Sequence, residues 1–86
     1  MFAKEVVVQN QVGLHARPAT FFIQKANKFK SSIWVEKDER KVNAKSLLGV
    51  LSLGITKGLT ITIIAEGADE EEAVNELVAL IASDFA

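Results

Sequence analysis

The pattern of hydrophobic and polar positions divides the chain into four predicted strands. Segments that are rich in β-branched residues, or that alternate apolar with polar side chains, are typical of strands. By these criteria we predict strands over Phe2–Val8, Ile33–Lys37, Arg40–Asn43 and Leu59–Glu66. The dipeptide Asp38–Glu39 separates the second strand from the third and predicts a two-residue hairpin turn, although it lacks the glycine that such turns prefer.

Two further segments have the spacing or the end signals of helices. Apolar residues recur at helical spacing over Ala16–Lys28, and Pro18 falls in the first turn, where proline is tolerated. The apolar segment Leu47–Leu53 lies between Ser46, which is a good N-cap, and Gly54, which is a good stop. It therefore predicts a short helix.

A third helix is predicted from Asp69 onward. Glu72 follows Asp69 by three positions, as in a capping box with Asp in place of Ser or Thr. Apolar residues then repeat at a spacing that turns them toward the core, namely Val74, Leu77, Val78 and Ile81. The order strand, helix, strand, strand, helix, strand, helix predicts a two-layer α+β fold in a single domain over residues 1–86. The order of the strands within the sheet stays open.

Composition narrows the chemistry that this chain can perform. There is no cysteine, which excludes disulfides and thiolate chemistry, and the single histidine, His15, excludes metal sites built from several histidines. We expect no metal site and no cofactor. The first residues lack the basic and then apolar pattern of a signal peptide, and the longest apolar stretch, Leu47–Ile55, is too short to span a bilayer. We therefore expect no membrane insertion.

Charge is distributed unevenly between the two halves. Residues 1–45 carry nine Lys or Arg and four Asp or Glu, which is a net +5, and residues 46–86 carry one Lys and seven Asp or Glu, which is a net −6. This asymmetry indicates a partner that is attracted by electrostatic steering. The alternative for the acidic half is that its acidic residues only complement the dipole of a helix. The overall net charge of −1 argues against nucleic acid as a direct partner.

Reactive residues concentrate at the predicted start of the first helix. Neutral His15 can act as a nucleophile, and the guanidinium of Arg17 suits phosphate oxygens. Gly13 lets the backbone bend close to the imidazole ring. We predict a phosphoryl group that is carried on His15 and held by the helix N-terminus, formed by Ala16, Arg17 and Pro18. The alternative is a histidine that only caps the helix.

A second candidate site lies at the start of the short helix. Ser46 is either only an N-cap or a site of regulatory phosphorylation, because a phosphate is favoured at a helix N-terminus. Three leucines follow it, Leu47, Leu48 and Leu51. A helix this short cannot bury every apolar side chain, so these leucines either form a docking patch or belong to the core.

These segments resemble the HPr family, the histidine-containing phosphocarriers of the bacterial phosphoenolpyruvate:sugar phosphotransferase system. Residues Gly13–Ala19 resemble the active-site sequence of the family, Asn43–Gly54 its regulatory serine segment, and Ile63–Glu70 its last strand and the entry to its final helix. The resemblance covers essentially the whole chain, and the pair Gly49–Val50 looks more Gram-positive than enteric.

The resemblance implies an open-faced β-sandwich, in which three helices pack on one face of a four-stranded antiparallel sheet. It implies that His15 accepts a phosphoryl group from phospho-Enzyme I through Nδ1 and passes it to the EIIA domains of sugar permeases, with Arg17 assisting the transfer. Such a carrier is a stoichiometric intermediate rather than an enzyme. We expect a cytoplasmic monomer that docks through Thr20, Leu47, Leu48 and Leu51.

The resemblance also suggests how the carrier is regulated. Ser46 resembles the residue that an ATP-dependent HPr kinase/phosphorylase modifies, which weakens transfer through His15 and lets the protein act with a catabolite control repressor. The family usually has a small polar residue where this chain has Val12. We hypothesise that backbone groups alone set the tautomer of His15.

Other functions stay open at this point. A catabolite-repression homologue in the family lacks the histidine, so His15 argues against that homologue. The remaining alternatives are a purely regulatory protein that works through Ser46, a nitrogen-regulatory phosphocarrier, and an unrelated RNA- or ligand-binding module whose match is due to chance.

Overall fold

A computed structural model describes residues 1–9, 13–14 and 16–83 of the chain. Every predicted strand and helix is present, in the predicted order. The elements are β1 (Phe2–Val7), α1 (Ala16–Ala26), β2 (Ser32–Lys37), β3 (Arg40–Asn43), α2 (Leu47–Ser52), β4 (Thr60–Glu66) and α3 (Glu70–Ala82). No helix in this part of the chain is long and apolar enough to cross a membrane.

The four strands form one antiparallel sheet in the order β1-β4-β2-β3. Strand β4, which is last in the sequence, lies between the first two, with Ala65 opposite Phe2 of β1 and Ile33 of β2. Because side chains alternate across a strand, one face of β4 carries Ile61, Ile63 and Ala65 into the core. The three helices cover this face, which confirms the predicted open-faced α+β sandwich.

The core is formed by this sheet face together with the apolar sides of the helices. In α1 the fully buried residues are Ala19, Phe22 and Ala26. In α3 they include three of the four predicted apolar positions, and Val78 is half-buried. On the opposite, open face of the sheet, Trp34 is half-buried, and the Nζ of Lys41 lies 5.2 Å from its ring centroid. The single tryptophan of the chain is therefore held on the uncovered side of the sheet.

The hairpin turn between β2 and β3 has two residues, as predicted, although neither is glycine. Asp38 has a φ of 50° and Glu39 a φ of 70°. Positive φ at both central positions is the geometry that matches the twist of a two-residue hairpin, and Asp tolerates it better than most side chains. The register places Lys37 directly opposite Arg40.

The predicted capping box at the start of α3 is wrong. The Asp69 side chain caps nothing in its own helix. Its carboxylate instead accepts hydrogen bonds from the backbone N–H groups of Lys30 and Ser31, at 2.9 Å each, and from the hydroxyl of Ser31. The Ser31 hydroxyl and then the Lys30 N–H lower the pKa of Asp69 to about 2. Asp69 therefore ties the start of α3 to the loop between α1 and β2.

Candidate functional site

The backbone that leads into the candidate nucleophile is fixed against the loop that follows α2. Gly13 is buried with a φ of 62°, and the Leu14 N–H donates a hydrogen bond to the carbonyl of Ile55 at 3.0 Å. A Cβ at position 13 would come within 2.7 Å of the Cα of Thr56. Glycine is required here both by the positive φ and by this close approach. The side chain of Leu14 is 1% exposed and anchors the same segment in the core.

Helix α1 begins directly after the candidate nucleophile. Ala16 is its first residue, so Ala16, Arg17 and Pro18 form its first turn, as the sequence predicts. Arg17 is exposed, and α1 contains no acidic residue. His15 and Val12 lie outside the described residues, so their predicted roles stay predictions.

The outer side of α1 carries an exposed aromatic residue that belongs to no predicted site. Thr20, a predicted docking residue, is exposed. Phe21, one helical turn after Arg17, is 50% exposed, although a phenylalanine is expected in the core. The apolar spacing of α1 includes Phe22 but not Phe21, and this mismatch is the sequence signal that identifies Phe21 as an exposed residue. An exposed aromatic beside an arginine is a typical feature of protein interfaces.

Ser46 is the N-cap of α2. Its backbone is extended, and its hydroxyl oxygen accepts a hydrogen bond from the Gly49 N–H at 3.1 Å. The segment before it is ordered by Asn43, whose side-chain oxygen accepts from the Lys45 N–H at 2.8 Å and whose carbonyl accepts from the Ser46 N–H at 3.1 Å. Ser46 is half-buried. Gly49 has no side chain, which leaves space beside the Ser46 hydroxyl, because a Cβ at position 49 would lie only 3.3 Å from Oγ of Ser46. The capping role of Ser46 is thus confirmed, and its phosphorylation remains a prediction.

The leucines of α2 differ in exposure. Leu48 is 80% exposed and Leu47 40% exposed, whereas Leu51 is half-buried and packs against the core. Val50 is fully buried and fixes the helix to the body of the domain. The alternative that all three leucines belong to the core is therefore wrong for Leu48.

Helices α1 and α2, which carry the two candidate sites, pack against each other. In residues 1–9, 13–14 and 16–83 no group of three or more His, Cys, Asp or Glu side chains is placed to hold a metal ion. The described residues place an exposed guanidinium, that of Arg17, in the first turn of α1, and they leave apolar side chains exposed on both α1 and α2.

Known proteins resemble this chain over nearly its full length. The HPr-like protein Crh of Halalkalibacterium halodurans is 54% identical over 81 residues, which are 94% of this chain and 96% of that protein. The solved structure of HPr-C-His from Thermoanaerobacter tengcongensis has a TM-score of 0.96 at 54% identity and covers 99% of this chain and 96% of its own.

A second structure bears on the predicted monomer. HPr from the same Thermoanaerobacter tengcongensis has also been solved as a dimer, with a TM-score of 0.80 at 56% identity over 94% of this chain and 93% of that one. Similarity to these proteins therefore does not by itself imply a monomer.

The family model for the phosphorylation site of the HPr component of the phosphotransferase system matches residues 2–83, which excludes a chance resemblance. The chain belongs to the HPr family.

Proposed function

We propose that this chain is a phosphocarrier of the phosphoenolpyruvate-dependent sugar phosphotransferase system. In this proposal His15 accepts a phosphoryl group from phospho-Enzyme I and passes it to the EIIA domains of sugar permeases. The observation that carries the proposal is the presence of a histidine between Gly13–Leu14, which are fixed to Ile55, and the first turn of α1.

The chemistry is an in-line displacement at phosphorus. The lone pair of Nδ1 of His15 forms a bond to phosphorus while the bond to the imidazole nitrogen of the partner's phosphohistidine breaks, and the electron pair of that bond returns to the leaving ring. No proton donor or metal is needed for the atoms to balance. The N–H groups at the start of α1 and the guanidinium of Arg17 stabilise the charge on the phosphoryl oxygens. The same groups serve the reverse step, so the carrier can both load and unload.

Docking is expected on the side of the domain that α1 and α2 share. Thr20, Leu47 and Leu48 are exposed there, and the half-buried Leu51 completes the rim. A small apolar rim around a charged site favours contacts that form and dissociate quickly, as a carrier with several partners requires. The positive first half of the chain would attract an acidic Enzyme I.

Ser46 is the proposed regulatory site. A kinase/phosphorylase would transfer phosphate from ATP to its hydroxyl, and the product would present about two negative charges at the N-terminus of α2, beside exposed leucines. The added charge would repel acidic partners of the basic α1 surface and create a new surface for a catabolite control repressor.

A second candidate function is a purely regulatory protein that works through Ser46 alone. It is favoured by the 54% identity to an HPr-like protein named Crh. His15 argues for the carrier, because the catabolite-repression homologue in the family lacks this residue. We place the carrier in the cytoplasm, as a single HPr-like domain of residues 1–86 that acts as a monomer without a cofactor and is not itself an enzyme.

Intact-mass spectrometry after incubation with phosphoenolpyruvate and Enzyme I tests the proposal. The wild type and Ser46→Ala should each gain one acid-labile phosphoryl group, and His15→Ala should gain none. In parallel, ATP and an HPr kinase should add one acid-stable group to the wild type and to His15→Ala but not to Ser46→Ala. If ATP and the kinase label the chain, but an Enzyme I that phosphorylates a known HPr does not, the result would favour the purely regulatory protein.

A further inference from the structure

The C-terminal end of α2 is held by side chains from a different part of the fold. A helix of six residues is too short to persist alone in water, and its last carbonyl groups need partners from outside the helix. Helix α2 has no basic residue in its last turn that could serve this purpose. Its stability therefore depends on what the neighbouring elements supply.

The β2–β3 hairpin supplies partners for two carbonyl groups at this end, those of Ser52 and Leu53, through Lys37 and Arg40, here called the hairpin cations. The Nζ of Lys37 donates to the carbonyl of Leu53 at 2.9 Å, and Nη1 of Arg40 donates to the carbonyl of Ser52 at 3.1 Å. Nη2 of Arg40 also lies 3.4 Å from the Ser52 hydroxyl, which itself donates to the Gly49 carbonyl at 2.6 Å.

The position of the hairpin cations follows from the turn. Lys37 ends β2 and Arg40 begins β3, and the two-residue turn places them directly opposite each other. Paired residues of a hairpin project their side chains to the same side of the sheet, so both cations reach the same helix end. Positive charge at a helix C-terminus is favoured by the helix dipole, and hydrogen bonds with a charged donor are the stronger kind.

We propose that Lys37 and Arg40 are positioning residues for partner docking. They act through α2, by keeping Ser46, Leu47 and Leu48 in one orientation toward the partner, and they touch neither the partner nor the phosphoryl group. The inference rests on the proposed function, because it assumes that phosphotransfer partners dock on α2. When the hairpin cations are removed, α2 spends more time detached from the position seen in the structure. The apparent affinity for every partner then falls in proportion to the fraction of molecules in which α2 still occupies that position.

Lys41 provides the matched control. It lies on the same hairpin and carries the same charge, but its Nζ is over the Trp34 ring, on the sheet face that the helices do not cover. If positive charge on the hairpin attracted acidic partners directly, Lys41→Met would weaken docking as much as Lys37→Met. If the hairpin cations act by holding α2, Lys41→Met weakens docking much less than Lys37→Met, because it removes only one charge of the long-range attraction and no contact with α2.

Amide hydrogen exchange tests the placement of α2 without any phosphotransfer. The reporters are the N–H groups of Leu53 and Gly54, which donate to the carbonyls of Val50 and Leu51 at 3.2 Å each. In the double variant Lys37→Met/Arg40→Gln these amides should exchange about three- to tenfold faster, while amides in α3 keep their rates. Unchanged rates at Leu53 and Gly54, or an equal acceleration throughout the chain, would overturn the proposal.

Steady-state kinetics with Enzyme I, in which this chain is the varied substrate, test the docking role. The double variant should raise KM about three- to tenfold at an unchanged kcat, and Arg40→Lys should raise it less than Arg40→Gln. In a Leu48→Ala background the same double substitution should raise KM less, because the most exposed of the side chains through which it acts is gone. An equal rise in both backgrounds, or a rise in Lys41→Met as large as that in Lys37→Met, would overturn the proposal. If Enzyme I does not phosphorylate even the wild type, the proposed function fails, and hydrogen exchange still decides whether the hairpin cations hold α2.

Discussion

Replacement of Gly13 by alanine should destabilise the domain far more than the same replacement at Gly54. The two glycines have nearly the same backbone conformation, with φ values of 62° and 60°. They differ in surroundings, since a Cβ at position 13 would come within 2.7 Å of the Thr56 Cα, and a Cβ at position 54 would have no atom within 4 Å. Gly54→Ala is therefore a control that carries the backbone cost without the steric clash.

The expected magnitudes follow from these two terms. Left-handed backbone costs an alanine about 1–2 kcal/mol, and the lower entropy of the unfolded chain returns about 0.4–1 kcal/mol, so Gly54→Ala should cost about 1 kcal/mol. At Gly13 the clash adds about 1–3 kcal/mol, because the contacted atoms are backbone and cannot rotate away. In a domain of this size each kcal/mol lowers Tm by roughly 4–8 °C.

Thermal or urea unfolding followed by the fluorescence of Trp34 measures both variants, since this is the only tryptophan in the chain. Gly13→Ala should melt at least about 4 °C below Gly54→Ala. It should also be phosphorylated more slowly by Enzyme I when both variants are assayed fully folded, because the segment that leads into His15 has moved off Ile55. Equal melting temperatures for the two variants would refute the close approach of Gly13 to the loop after α2.

Three further predictions concern other parts of the molecule. Because the pKa of Asp69 is lowered to about 2, its contribution to the free energy of unfolding is present above about pH 4 and is lost as the pH falls toward 2. In denaturation experiments between pH 2 and 5, Asp69→Asn should remove this part of the pH dependence, whereas the control Glu71→Gln should keep it. Leu48→Ala should change the free energy of unfolding, measured by urea denaturation, by less than about 0.5 kcal/mol, because Leu48 is 80% exposed, and yet it should raise the KM for Enzyme I. Leu77→Ala, at a fully buried site, should lower the free energy of unfolding by about 2–5 kcal/mol. Stopped-flow rates of phosphoryl exchange with Enzyme I should fall as ionic strength rises, and rates that are indifferent to salt would contradict steering by the basic first half.

Local sequence patterns are sufficient to predict the elements of this fold but not their arrangement. The strands and helices follow from alternation, helical spacing and end signals such as Ser46, because these signals act between neighbours in the chain. The strand order β1-β4-β2-β3 depends on pairing between distant segments, which periodicity does not specify. The capping box of α3 failed for the same reason, since the partners of Asp69 are 38 and 39 residues away along the chain.

The candidate site shows the same division. The start of α1 and the cap of α2 were predictable because proline, serine and glycine act on their immediate surroundings. The exposure of Phe21 was not predicted, although its position off the apolar spacing of α1 indicates it. The contacts of the hairpin cations with α2 were not predicted either, because they depend on where α2 lies relative to the sheet. The sequence around a lysine and an arginine next to a turn does not predict which helix they contact.

Transfer of the phosphoryl group from His15 to a second protein tests the central claim most directly. The chain is first loaded by Enzyme I and phosphoenolpyruvate, freed of both, and mixed with an EIIA domain while intact masses of both proteins are followed over time. The carrier account predicts that the chain loses its phosphoryl group as the EIIA domain gains one, and that the chain can then be loaded again. A phosphorylated chain that keeps its group in the presence of an EIIA domain that a known HPr can phosphorylate would contradict the account.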